Sequence, residues 1–522
     1  MAERKTSRAW FLPSIAEFIF ITVLVGILSN KGKLLADADV GLHIRVGEYI
    51  MNNFTVPTHD IFSHIIPPRA WTAHEWLAEL IFAIIHKPFG LTGIVVFMAF
   101  LIAAIYAILF KFLRSSGVSM IVAALTAVLA ACASAIHWLA RPHIFSLMLL
   151  LVWYIILDTY QYKHKNYLYL LPFLMLLWVN LHGGFMIGFI LMIVYIAGNF
   201  LKAHFAEEQR RDANHRTKVL ILFFFLCFLA SLLSPQGYRI LLFPFNLTSN
   251  TFITNYITEW LSPNFHGFLI YEYMLLLMIL VLGISMRRLN VIEIILVLMF
   301  THLSLFAARY IPLYAVIVSP IIAKQVDRII EEFRGKGLIE EIISTSDNMA
   351  TVDSMTKWNL WAALAMVAVV LMCLTGKVNY QFDKKIMPVD AVQFLKKEKI
   401  DARVFDSYVF GSYIIYAAWP RIEVFIDGRA DMYSKQETEE YLKVAGVERG
   451  WEDVLKKYDI TWIIYNNESV LSNVLLERDD WRLIYSDQVA NIFVKKTPEN
   501  QPLISRYPNV KPVAAHKVDQ EK

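Results

Sequence analysis

The segment "LLADADVGLHIRVGEYI", residues 34–50, gathers Asp37, Asp39, His43, Arg45 and Glu48 directly after a long apolar run. Two carboxylates two residues apart can share a divalent cation, Mg2+ or Mn2+, or divide base and electrostatic roles between them. The residues leave both uses open. Arg141 and Arg309 fall at the ends of apolar runs. A guanidinium there suits a phosphate, which it grips with two parallel hydrogen bonds. Asp60, His74, Glu75, His143, Asn180 and His182 lie in connecting loops or at run ends, as do Glu259, His266 and His302. Histidine and asparagine suit sugar hydroxyls or phosphate oxygens. Together these types suit a lipid phosphate whose tail stays in a bilayer.

Each residue also has an ordinary reading. A lone D-x-D arises by chance, and only its place after the first apolar run adds weight. Loop residues are polar in any case, and helix capping or loop bracing accounts for many of them. The stretch "NLHGGF" reads as a tight turn, with Gly183 and Gly184 supplying the bend.

The elements that must position these groups follow from composition. Of 522 residues, 57% are hydrophobic and 18% charged, and the mean hydropathy is +0.48. Soluble domains run at about 45–50% apolar and about 25% charged. Apolar runs of about 17–25 residues recur, giving about eleven spans of a helical polytopic membrane protein. They fall near 11–29, 77–112 (with a break expected at "HKPFG"), 118–138, 143–159, 166–181, 184–202, 218–234, 270–286, 289–307, 309–324 and 358–376. The first is read as a retained helix because no small-residue cleavage site follows it. Lysine and arginine concentrate in alternate loops such as "KFLRSSG" and "MRRLN". This places the N-terminus in the cytoplasm and the first loop, 30–76, on the outer face. The charged segment 325–357 is then cytoplasmic. The net charge of +4 is explained by those basic loops and implies no nucleic-acid partner. Cys132, Cys227 and Cys373 all sit in apolar runs, which argues against a disulfide framework or a metal cluster. No internal repeat is evident.

After the membrane domain, 1–376, comes a mixed pattern over 377–500 that reads as an outer-face α/β domain. Helices are expected at "VDAVQFLKKE", "SKQETEEYLKVAG" and "WEDVLKKY". Strands are expected at "RVFDSYVFGSYIIYAA", "IEVFIDG", "ITWIIYN", "WRLIYSD" and "NIFVKK". Gly411 would bend the first strand, and Asp427 and Gly428 would form a turn corner. Residues 501–522 read as a polar tail, whose end "NVKPVAAHKVDQEK" is expected to be disordered.

These features resemble the GT-C polytopic glycosyltransferases. In that family the loop after the first helix holds a catalytic acid, the sugar comes from a polyprenyl-phosphate carrier, and many members end in an outer soluble domain. The chain resembles more closely a largely uncharacterised group of bacterial GT-C-like membrane proteins. The motifs that carry this are "DADVGLHIRVGEYI", "VPTHDIFSH", "WTAHEWLAELIF", "ARPHIFS", "WVNLHGGFMIG", "SPQGYRIL" and "VFGSYIIYAAWPRIEVFIDGRADMY". Val40, Gly41 and Leu42 stand where that group commonly has aromatic residues. "VFDSYVFGSYI" faintly resembles the acceptor-binding motif of oligosaccharyltransferases through Asp406 and Gly411, but its tryptophans are absent.

The resemblance implies an inverting glycosyltransferase in the bacterial inner membrane, with Asp37 or Asp39 as the catalytic base. Arg141, His143 and Arg309 would support the leaving phosphate. Asp60, His74 and Glu75 would wall the first loop beside His43, and Asn180 and His182 would meet sugar hydroxyls. Its partners would be the bilayer, a polyprenyl-phosphate-linked sugar, and a glycan, lipid or protein acceptor. The alternatives are a transporter or flippase for lipid-linked or anionic solutes, and a non-catalytic GT-C-like scaffold in envelope assembly.

Overall fold

The first apolar helix, α1 (Ile15–Ser29), starts at Ser14. There the hydroxyl and the Glu17 carboxylate exchange bonds with each other's backbone N–H in a capping box. Glu17 also accepts from the backbone N–H of Trp361, 2.9 Å away, which ties α1 to a later apolar helix. The computed structural model describes residues 11–30, 32–64, 69–205, 208, 210–249, 254–255, 257–335, 337–356 and 360–514.

Helix α2 (Asp39–Asn53) follows a short 3-10 turn. Asp37 Oδ1 accepts from Asp39 N–H at 2.9 Å, which braces the turn leading into the helix. Helix α3 (Trp76–Ser115) is 40 residues long and kinks at Gly90, whose backbone is non-helical. The break thus falls within "HKPFG", where Pro88 removes a helix donor. Gly47 lets α2 approach α3 closely, since a Cβ there would lie 2.0 Å from the Glu79 carbonyl oxygen.

The bundle continues with α4 (Met120–Ser134), α5 (His143–Lys163), α6 (Leu171–Leu181), α7 (Met186–Phe205) and α8 (Arg210–Ser231). It is completed by α9 (Ile270–Ile284), α10 (Val291–Phe306), α11 (Ile311–Glu332) and α12 (Leu360–Leu374). Among the described residues five helical segments are long and apolar enough to cross a membrane, and several shorter apolar helices accompany them. Large apolar side chains such as Phe200, Leu276 and Leu298 remain exposed on the bundle. A lipid-facing surface has that character, because lipid tails do not expel apolar groups. The chain is a polytopic helical membrane protein with a small C-terminal sheet domain.

That domain holds five strands, β1 (Ala402–Asp406), β2 (Ile422–Glu423), β3 (Trp462–Asn466), β4 (Trp481–Ser486) and β5 (Ala490–Lys495), in the order β2-β1-β3-β5-β4. β1 pairs in parallel with β2 and β3, while β5 runs antiparallel to β3 and β4. The expected strand "RVFDSYVFGSYIIYAA" ends at Asp406, and helix α13 (Tyr408–Ala418) replaces its second half. The segment is apolar on nearly every side, so its periodicity could not separate strand from helix. It is buried between the sheet domain and α2, against which it packs. The "IEVFIDG" strand is cut to two residues because the Asp406 carboxylate accepts from Phe425 N–H at 2.7 Å, in place of a ladder partner. The start of the polar tail forms a short helix at Gln501–Arg506. Its last residues, 515–522, lie outside the described residues.

Candidate functional site

A cavity of about 800 Å³ lies where the first loop, the helix ends and the C-terminal domain meet. Asp37, Asp39, His43, His74, Glu75, Arg141, His143, His182 and Arg309 all line it. The apolar part of its wall includes Ile187, Ile190, Leu303 and Leu313, from α7, α10 and α11.

Arg141 bridges the carboxylate pair. Its Nη1 lies 2.8 Å from Asp37 Oδ2 and its Nη2 lies 3.0 Å from Asp39 Oδ2. The same guanidinium approaches Glu259 at 3.5 Å. Glu259 in turn holds Arg309 at 3.0 Å, and Arg309 stacks 4.3 Å above the Trp260 ring. Burial and the neighbouring Asp39 raise the Asp37 carboxyl to about 6, against the opposing pull of Arg141. Burial would also raise Glu259, but Arg309 and Arg141 overcome it and hold that carboxyl at about 2. One cavity thus contains a carboxyl that titrates near neutrality and another that stays ionised.

The C-terminal domain completes the carboxylate end. Ser412 Oγ donates to Asp39 Oδ1 at 2.8 Å and accepts from Gly428 N–H at 3.1 Å. Gly428 has no room for a side chain, because a Cβ would lie 2.0 Å from Asp39 Oδ1. Tyr408 and Asp431 from the same domain also line the cavity. Sequence reasoning missed Ser412, Gly428 and Asp431. Its one signal was the paired "FGSY" and "IDGRAD" motifs, which taken alone looked like a strand bend and a turn.

Two expected site residues lie outside the cavity lining. Asp60 is buried against Arg429 at 2.7 Å, and Arg429 is also clamped by Asp427 at 2.6 Å. Asp60 therefore fastens the first loop to the C-terminal domain. Asn180 Oδ1 accepts from Trp76 Nε1 at 2.7 Å, and its amide donates to the Leu176 carbonyl at 2.8 Å. It braces the end of α6 against the start of α3.

No protein-family model matches the sequence, and no curated protein matches it. Solved structures do match the fold. The apo oligosaccharyltransferase of Archaeoglobus fulgidus superimposes with a TM-score of 0.56 at 11% identity, over 87% of this chain and 69% of that one. The chain has the GT-C fold. The archaeal oligosaccharyltransferase AglB from Archaeoglobus fulgidus, in complex with an inhibitory peptide and a dolichol-phosphate, matches this chain equally well. Its TM-score is 0.56 at 11% identity, over 89% of this chain and 70% of that one. ArnT from Cupriavidus metallidurans, bound to undecaprenyl phosphate, matches with a TM-score of 0.43 at 11% identity, over 91% of this chain and 97% of its own.

A divalent cation shared by Asp37 and Asp39 does not fit this site. The Arg141 guanidinium takes the space between the two carboxylates and offsets one of their two charges. Among the described residues, no group of three or more His, Cys, Asp or Glu side chains is placed to hold a metal ion.

A second polar cluster lies around Glu75, which faces His43, His74 and His182. Burial raises the Glu75 carboxyl, opposed by His74 and His43. Burial lowers His43, which keeps that imidazole neutral near pH 7. His143 Nε2 is engaged with the His137 carbonyl at 2.9 Å.

Proposed function

We propose that this protein is a membrane glycosyltransferase that moves a sugar from a polyprenyl-phosphate donor to an acceptor hydroxyl, with inversion at the anomeric carbon. The observation that carries the reading is the Asp37–Arg141–Asp39 bridge, set in the wall of a part-apolar cavity in a GT-C fold. The lysine and arginine distribution supports an outer-face reaction in a bacterial inner membrane. The dolichol-phosphate bound by AglB supports the donor class.

Asp37 is the base in this reading. Its carboxyl titrates near 6, close to an operating pH at which it can both accept and release a proton. Asp39 is held on three sides, by Arg141, Ser412 and the close-packed Gly428, and it orients the guanidinium and the acceptor. The acceptor oxygen bonds to the anomeric carbon as Asp37 takes its proton. The bond from that carbon to the phosphate oxygen breaks, and the electron pair leaves with the lipid phosphate. Arg309 and Arg141 meet the charge that develops there. Donor hydrolysis and transfer by the purified protein, across a panel of polyprenyl-phosphate sugars, test the proposal. Asp37→Asn is nearly isosteric and should lower turnover by about 10²–10⁴-fold. A double Asn variant at Asp37 and Asp39 that turns over like the parent overturns it and leaves a scaffold as the better reading.

A further inference from the structure

Arg309 lines the cavity with most of its guanidinium unused. Its Nη1 lies 3.0 Å from Glu259 Oε1, and among the described residues it makes no other hydrogen bond or ion pair. A guanidinium carries five N–H donors in a flat fork. The Trp260 ring, 4.3 Å away, supports one face of that fork. Glu259 is itself divided between two partners. Its second oxygen lies 3.5 Å from Arg141 Nη1, at the long edge of hydrogen bonding. Arg141 is already engaged by Asp37 at 2.8 Å and by Asp39 at 3.0 Å. The Glu259 carboxylate therefore sits between two arginines and grips neither with two parallel bonds.

A phosphate would use that fork more fully. Two of its oxygens take both arms of an arginine in parallel. Leu303 and Leu313 line the same cavity, so an apolar wall accompanies the seat. The Thr258–Trp260 turn that carries Glu259 is lightly held. Trp260 and Ala430 pack with Leu247, Ile257 and Tyr310 in a small cluster apart from the main core. Few apolar contacts therefore oppose a shift of Glu259. His137 Nε2, 3.7 Å from Glu259 Oε2, is within reach of the displaced carboxylate.

The number of phosphates follows from the cations. Among the described residues three arginines and no lysine line the cavity. Arg429 is clamped by Asp60 and Asp427, and Arg141 is committed to the aspartate pair. Burial lowers His43 and His182, so neither adds a charge near pH 7. Displacing Glu259 thus frees one guanidinium, enough for one phosphate group. The displaced carboxylate remains on its turn beside the seat, where it repels a second.

We infer that Glu259 occupies the phosphate seat of the free protein, that one donor phosphate displaces it from Arg309, and that it selects monophosphate over diphosphate carriers. This rests on the reading of Arg309 as the partner of a lipid phosphate and adds the residue that sets its selectivity.

The full chain in nanodiscs tests this by binding. The probes are undecaprenyl phosphate and undecaprenyl diphosphate, which differ by one phosphate and carry no sugar, with inorganic phosphate as the lipid-free probe. The parent should bind the monophosphate about tenfold tighter than the diphosphate. Glu259→Gln removes the competing charge. It should bind the monophosphate about tenfold tighter than the parent does, and gain more for the diphosphate, which narrows the selection. Glu259→Asp keeps the charge but is one methylene shorter. It should tighten monophosphate binding and keep the selection, and it carries the test if thermal melting shows the Gln variant unfolded. Weaker or unchanged monophosphate binding in the folded variants overturns the inference, because Glu259 would then only brace Arg309. Equal binding of the two lipids by the parent overturns it as well. So does a gain for inorganic phosphate as large as the gain for the lipid, which would make the seat one for a free anion. Arg309→Ala separates the underlying reading. Unchanged binding there removes the phosphate site itself, whereas a loss there, with no gain in either Glu259 variant, removes only the role of Glu259.

Discussion

Ser412 Oγ lies 2.8 Å from Asp39 Oδ1, joining residues 373 positions apart in the chain. The C-terminal domain therefore supplies part of the carboxylate site instead of hanging beside it.

The contact predicts what two substitutions in that domain do. Ser412→Ala removes a hydrogen bond to a charged group, worth about 1.5–3 kcal/mol, and should slow sugar transfer by about 10–100-fold. Ser412→Thr keeps the hydroxyl and should retain most of the rate. Gly428→Ala places a methyl group where Asp39 Oδ1 sits and should be at least as damaging as Ser412→Ala. Turnover measured beside a thermal melt separates a displaced carboxylate from an unfolded domain. Wild-type rates in both Ser412→Ala and Gly428→Ala would show that the contact does not matter.

Activity and stability should part company in mild acid. Asp37 must be ionised to act as a base, so the rate should rise with pH through about 6 and level off above it. The stability term has the opposite sign. A carboxyl whose folded pKa is raised favours the protonated fold, so ionising Asp37 between its usual 3.8 and about 6 costs stability. Glu259 is depressed from 4.5 to about 2, and the stability it contributes is present above 4.5 and lost only as pH falls through about 2. Near pH 4.5–5 the protein should thus be folded and inactive, and it should regain full rate on return to pH 7. An irreversible loss there, with a coincident melt, would contradict this assignment.

Arg309 is held in place by two contacts, the Glu259 carboxylate at 3.0 Å and the Trp260 face at 4.3 Å. Lysine keeps the charge but loses the planar fork and much of the stacking. Arg309→Lys should weaken binding of undecaprenyl phosphate by about tenfold with the fold retained, and Arg309→Ala by more. Fluorescence or calorimetric titration of the carrier measures both. Unchanged affinity in Arg309→Ala takes this residue out of the phosphate site.

Arg141 stands where a shared cation would bind, so chelation should leave sugar transfer unchanged. Saturating EDTA, followed by added Mg2+ or Mn2+, checks this at constant ionic strength. A rate that collapses with EDTA and returns with metal would mean that Arg141 swings away from the carboxylate pair during turnover.

Two residues singled out by type, Asp60 and Asn180, bond to the protein itself. Asp60 and Asn180 are polar and sit near the first loop and a helix end, as ligand-binding residues do. The structure gives their hydrogen bonds to Arg429 and to Trp76 and Leu176. A side chain's chemistry states what it can bond, not whether the partner comes from the protein or from a ligand. Ser412 and Gly428 were overlooked for the converse reason, because a serine and a glycine in an apolar segment carry no chemical mark of a site.

The sequence by itself determined the features that are local. Long apolar runs specify membrane helices because the bilayer demands internally bonded backbone over a fixed thickness. Pro88 and Gly90 place the break in α3. Only the tertiary structure decided which distant groups meet. Arg141 reaches Asp37 across 104 positions, and Ser412 reaches Asp39 across 373. Such contacts depend on how helices pack and where a domain docks. Those are set by the summed burial of many side chains, and no short motif encodes them.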